Sequence, residues 1–184
     1  MELKMRVLDK CISEVNALSK ILIPQKLEGF QDIITNANNK AFERILLYPT
    51  NDVLLTEEQF CALRNAMTGE FLYAREVGET GKWYDMGQPF YRLSKCDTYE
   101  QFVQLPFWSI SVFFDETFDW VILIDESLEG GIGLLLASEE IKDSFVKYYP
   151  YKRDVDRFEQ HFIVKNAKEE NLEFAKSVIE VVCK

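Results

Sequence analysis

The sequence predicts an α+β fold, with a central antiparallel sheet packed by helices in a single domain over residues 1–184. Three observations carry this expectation. The strongest strand segments are grouped in the middle of the chain, short acidic turns join them, and helical periodicity flanks them on both sides. Short links favour an antiparallel meander, because parallel neighbours need crossovers of a dozen residues or more. A length of 184 residues suits one domain, and 47% hydrophobic with 28% charged residues lies in the range of chains that bury a core. Internal repeats, low-complexity tracts and long Pro, Gly or Ser-rich linkers are missing from the sequence, so nothing argues for a division.

Taken in order, Val7, Leu8, Cys11, Ile12, Val15, Leu18 and Leu22 fall on one face of a helix predicted over Leu3 to Leu22, which Pro24 ends. Phe30, Ile33, Ile34, Ala37, Ala41 and Ile45 continue at helical spacing. Asn36, Asn38 and Asn39 weaken that pattern, and Ile45 to Tyr48 reads equally as a strand, so 40–48 stays open between the two. Thr56 with Gln59 forms a capping box and predicts a short helix to about Met67. Phe71 to Val77 reads as a strand, turned at Gly78 and Gly81 into a second short strand at Trp83 and Tyr84. Thr98 with Gln101 repeats the capping box, and Pro106 ends that helix.

The meander follows, in Phe107 to Phe114, Trp120 to Ile124 and Ile132 to Leu136, joined by DETFD and DESLEGG. Ser138 then opens a helix with Ile141, Phe145 and Tyr148 on one face and Pro150 as its stop. Asp154 is expected to cap a segment carrying Val155, Phe158 and Phe162, with 158–165 open between helix and strand; Asn166 and Glu169 are expected to cap a last helix using Leu172, Ala175, Val178, Ile179 and Val182. Adjacent aromatics on a strand point to opposite faces, so Phe107 with Trp108 and Phe113 with Phe114 pose an alternative. Either the sheet is covered on both faces or an aromatic patch is exposed to a partner.

Charge and composition narrow the function classes. A formal net charge of -10 disfavours phosphate binding, so nucleic acid is not expected; the charge favours a basic or uncharged partner, a basic protein first, or else serves only to keep the domain in solution. Glu2, Lys4, Arg6, Asp9, Lys10 and Glu14 interrupt any apolar segment at the start, so no secretory signal is expected. Apolar runs such as Val121–Ile124 fall far short of the ~20 residues of a membrane-spanning helix. Cys11, Cys61, Cys96 and Cys183 lack the close spacing of zinc or redox motifs and read as core thiols, which suits a cytoplasmic location.

No catalytic, cofactor or metal residue is assigned. His161, the sole histidine, lies beside Phe158 and Phe162 and no nucleophile motif accompanies it, which favours a packed imidazole. Asp125, Glu140 and Lys142 superficially resemble an acid, acid and lysine nuclease set, at a spacing that chance readily produces. Gly130, Gly131 and Gly133 precede a strand and not a helix, so they form a turn and no phosphate cradle. The acidic turns are the conspicuous feature: Asp115, Glu116, Phe118, Asp119, Asp125, Glu126 and Glu129 form the candidate partner-binding set, and the same carboxylates read equally as solvated turns and strand edges. They lack the ligand order of a calcium loop, and a carboxylate pair for glycoside hydrolysis would need a cleft.

The segment Phe107 to Tyr149, read as strand, DETFDW, apolar strand, glycine turn, LLLAS and helix, resembles the sheet region of bacterial toxin-immunity proteins of the SUKH superfamily and related groups. That resemblance covers under a quarter of the chain and rests on rhythm. It implies a cytoplasmic, non-enzymatic protein that blocks a toxin by binding it, which agrees with an acidic chain and a basic partner. Two other classes stand beside it: a small hydrolase or transferase built from dispersed carboxylates or His161, and a structural subunit burying its aromatics in a homo-oligomer.

Overall fold

The computed structural model describes residues 6–8, 18, 21–22, 27, 29–36, 42–77, 90–126, 130–165 and 169–183. Among these residues seven strands form one antiparallel sheet: β1 (Arg6–Leu8), β2 (Glu43–Leu47), β3 (Phe71–Glu76), β4 (Phe90–Ser94), β5 (Ser111–Asp115), β6 (Trp120–Asp125) and β7 (Ile132–Ala137). Their order across the sheet is β1-β4-β3-β5-β6-β7-β2. The predicted meander is present as β5-β6-β7, with Phe113 opposite Ile122 and Ile122 opposite Leu135. Six α-helices accompany it among the described residues: α1 (Phe30–Asn36), α2 (Glu57–Ala66), α3 (Tyr99–Phe102), α4 (Glu139–Tyr148), α5 (Lys152–Glu159) and α6 (Glu169–Val182). A π-helical segment, Gln160–Lys165, extends α5 and settles 158–165 as helical.

The central strands are buried on both sides, which is why they read as continuous apolar runs and not as alternating ones. Side-chain alternation sends Val112, Phe114, Val121 and Leu123 to one face, where Phe30, Ile33, Phe158 and Val178 of α1, α5 and α6 cover them. Phe113, Trp120, Ile122 and Leu135 point the other way, against Phe60 and Leu63 of α2, Phe102 of α3 and Phe145 of α4. The layers are therefore helix, sheet, helix. Of the two outcomes posed by the paired aromatics, double coverage holds for Phe113 and Phe114.

Both capping boxes form. The Gln59 amide donates to Thr56 Oγ1 at 3.3 Å while Gln59 Oε1 accepts from the Thr56 amide at 3.0 Å. Gln101 Oε1 accepts from the Thr98 amide at 2.7 Å. Thr56→Ala is expected to cost about 1 kcal/mol of stability in a urea unfolding titration, the usual value of an N-cap oxygen. Ser138 caps α4, its hydroxyl accepting from the Ile141 amide.

Several expectations are corrected. Within the helix predicted over Leu3 to Leu22, Arg6–Leu8 instead pairs with β4, because the open edge of β4 supplies hydrogen bonds that local periodicity cannot register. Ile45 to Leu47 proves to be strand, held against Leu135 to Gly133 of β7. The strand that returns beside β3 is Phe90–Ser94, and the predicted one at Trp83 and Tyr84 lies outside the described residues. Phe107 to Ile110 precedes β5 and is not strand. Cys61, Cys96 and Cys183 are exposed and free, not core thiols. Cys61 sits between buried Phe60 and Ala62, and the helical turn of about 100° per residue carries it outward. Cys11 and the predicted Asn166 cap lie outside the described residues.

Candidate functional site

The strand register divides the predicted acidic set. Asp115 ends β5 and Glu116, Phe118 and Asp119 lie in the turn to β6, whereas Asp125 closes the far end of β6 and Glu126 follows it. A strand of this length separates the two groups by roughly 17 Å. Glu129 lies outside the described residues.

At the first end the carboxylates staple backbone. Asp115 is fully buried; its Oδ1 accepts from the Thr117 amide at 3.0 Å and from the Thr117 hydroxyl, and its Oδ2 from the Gly69 amide at 3.2 Å. A Cβ on residue 69 would stand 2.8 Å from Asp115 Oδ2, so glycine is required there. Glu116 accepts from the amides of Glu70 and Phe71, tying the start of β3 to the same turn. Phe118 stacks on Phe114 with ring centroids 5.5 Å apart. Asp119 is exposed, and its carbonyl accepts from the Ser138 amide at 2.8 Å.

The second end carries a different feature. Glu76 pairs with Ser111, Ser111 with Ile124 and Ile124 with Gly133, which brings the loop before β5, the end of β6 and the start of β7 together. On that loop Trp108 is 81% exposed. Its indole is free, but its backbone is not: the Trp108 amide and the Ser109 hydroxyl both donate to Glu76 Oε1. The preceding Phe107 is buried and packs edge-on to Tyr91 at 5.5 Å. A rigid base thus presents a large aromatic to solvent. The Ser111 hydroxyl donates to the Val53 carbonyl, which draws the loop bearing exposed Asp52 to this end, where Glu126 is also exposed and Asp125 is buried. The adjacency of Phe107 and Trp108 was the signal in the sequence, since one had to turn outward.

A third constellation, absent from the predicted set, gathers behind the helices. Asp154 is not a cap: it lies inside α5, fully buried, with Oδ2 accepting from the Tyr48 amide at 2.9 Å and the Tyr149 hydroxyl at 2.7 Å. Its Oδ1 is buried without a hydrogen-bond partner. Burial pushes the Asp154 carboxyl above the usual carboxylate range despite the Tyr48 amide, and burial with Asp154 alongside pushes the Tyr149 phenol up to about 12. Gln59 Nε2 donates to the Tyr149 hydroxyl at 3.1 Å and the Pro49 carbonyl at 3.0 Å. His161 is bonded through Nδ1 to the Tyr48 hydroxyl and stacks on Phe162 at 4.8 Å, the packed setting its neighbours predict.

In front of this network, a cavity of about 460 Å³ opens between the start of α2 and α5. Tyr149, Thr56, Glu57, Glu58, Arg153 and Arg157 line it. Arg153 lies over the Tyr149 ring at 5.6 Å and bonds Glu58 at 2.7 Å. The nuclease-like trio is not assembled: Lys142 pairs with Glu43 at 2.6 Å beside the start of α4, at the opposite end of β7 from Asp125.

Among the described residues, no group of three His, Cys, Asp or Glu is placed to hold a metal ion, and no helix is long and apolar enough to cross a membrane. No family model matches the chain, and neither a curated protein nor a solved structure does.

Proposed function

We propose that this chain is a non-enzymatic protein-binding domain that occludes a basic partner through the sheet end bearing Trp108. The observation that carries this reading is the solvent-facing indole on a backbone clamped by Glu76. Exposed tryptophans on rigid supports lose little freedom on binding and dominate interface energetics when buried by a partner. Asp52, Glu76 and Glu126 supply negative charge around it, and the whole chain carries -10. Such a field accelerates encounter with a basic surface and sets its register. The resemblance to immunity proteins names the partner class as a toxin, with the bacterial cytoplasm as the setting.

The test begins with affinity capture from the native host and proceeds to affinities for the captured protein. Trp108→Ala is expected to weaken binding about 30-fold, from the roughly 2 kcal/mol or more of a central aromatic anchor. Glu126→Lys weakens it further and slows association, while Asp119→Lys, at the far end of β6, changes neither. A folded Trp108→Ala variant that binds as tightly as the parent overturns the assignment. Growth rescue by this chain against the captured protein checks the toxin reading.

A further inference from the structure

The cavity between α2 and α5 has a wall that is already organised. Every polar atom of the Gln59 side chain is spent: Oε1 on the Thr56 amide, Nε2 on the Pro49 carbonyl and the Tyr149 hydroxyl. The Tyr149 hydroxyl in turn donates to Asp154, so its ring is fixed as a floor. The volume of about 460 Å³ lies within the range of small-molecule sites, which are largely pre-formed.

The charged groups around this floor come as two pairs, of which one is closed. Glu58 on α2 and Arg153 on α5 bond each other across the cleft at 2.7 Å. Glu57 and Arg157, one on each helix, line the same cavity, and neither makes an ion pair among the described residues. Arg157 stands one turn beyond Arg153 on α5, about 6 Å along the axis. The Arg153 guanidinium is already committed, its Nη2 to Glu58 and its face to the Tyr149 ring, and its Nε is buried away from solvent. Arg157 has Asp154 as a charged neighbour but makes no ion pair, so its guanidinium is suited to an anionic oxygen, and Glu57 on the facing helix is suited to a cation. The four side chains sum to no net charge, so neither a simple anion nor a simple cation satisfies them.

We propose that this cavity binds a small zwitterion of the free amino acid class, its carboxylate on Arg157 and its ammonium on Glu57. None of the residues lining the cavity belongs to the Trp108 surface, and the inference does not depend on the protein-binding reading.

The experiment titrates a panel of free amino acids into the ¹⁵N-labelled chain, with the N-acetyl and carboxamide derivative of each binder as matched controls. Saturable shifts are expected in the amides of Thr56 to Glu58 and Arg153 to Arg157 with at least one free amino acid. Each derivative, lacking one charge, is expected to bind about tenfold more weakly, the scale of one charge-assisted hydrogen bond. Glu57→Gln removes the penalty for N-acetylation, and Arg157→Gln removes the penalty for amidation. Both residues are exposed, and the same spectra report whether each variant is folded. Absence of saturable shifts with every amino acid overturns the proposal. So does equal binding of the free and derivatised forms, or retention of both penalties in the variants.

Discussion

Asp115→Lys is expected to remove more than about 4 kcal/mol of stability, a large part of the 5–15 kcal/mol a domain of this kind possesses. The carboxylate it replaces is fully buried and accepts from Gly69 and twice from Thr117. An ammonium at the same place supplies no acceptor, leaves those donors unmet and adds a buried charge. The longer side chain would also meet the backbone at Gly69, where even a Cβ finds Asp115 at 2.8 Å. Asp119→Lys, on the same turn but exposed, is expected to change stability by no more than about 0.5 kcal/mol. Urea unfolding midpoints compare the two directly. Equal midpoints would show that Asp115 does not hold the turn. The pair also separates structural from recognition roles, since any loss of binding by Asp115→Lys is confounded with loss of fold.

The second large effect centres on Asp154, whose replacement by alanine is expected to cost about 3 kcal/mol. Two buried donors, the Tyr48 amide and the Tyr149 hydroxyl, lose their acceptor, at roughly 1–3 kcal/mol each. Asp154→Asn keeps a carbonyl oxygen for them and is expected to lose much less. The two forms also differ in pH response. Burial raises the Asp154 carboxyl in the folded state, so the native protein holds this proton more firmly than the unfolded chain does. Its contribution is full below the ordinary carboxyl value of about 4 and is lost as pH rises through the raised folded value. The stability of the parent relative to Asp154→Asn should therefore fall with increasing pH across that window. A relative stability that climbs with pH would mean that the carboxylate, not the acid, is favoured inside.

Legibility in the sequence followed the range of the interactions involved. β5, β6 and β7 were readable because each is an apolar run closed by an acidic or glycine turn, and α2 and α3 because a capping box is complete within four residues. β1 was not readable: Arg6–Leu8 fits a helical stripe, and only the edge of β4, far along the chain, makes it a strand. The same logic misled the acidic turn. An aspartate in DETFD reads as solvated, yet the Gly69 amide that buries Asp115 comes from 46 residues away. Asp154 reads as a cap for the same reason, its true donor Tyr48 lying 106 residues back. Trp108 was half legible, since its adjacency to Phe107 posed the alternative that only the packing of Phe107 decides.

The position of β2 carries a consequence for how the chain reaches this state in time. Leu46 finds its partner in Leu134, almost half the chain later, and among the described residues no other strand pairs with β2. During synthesis, β2 leaves the ribosome before β7, the strand it pairs with, has been made. Closing so long a loop is slow compared with the local β5-β6-β7 hairpins. A chain truncated before β7 would leave β2 without its sheet partner and expose an apolar strand.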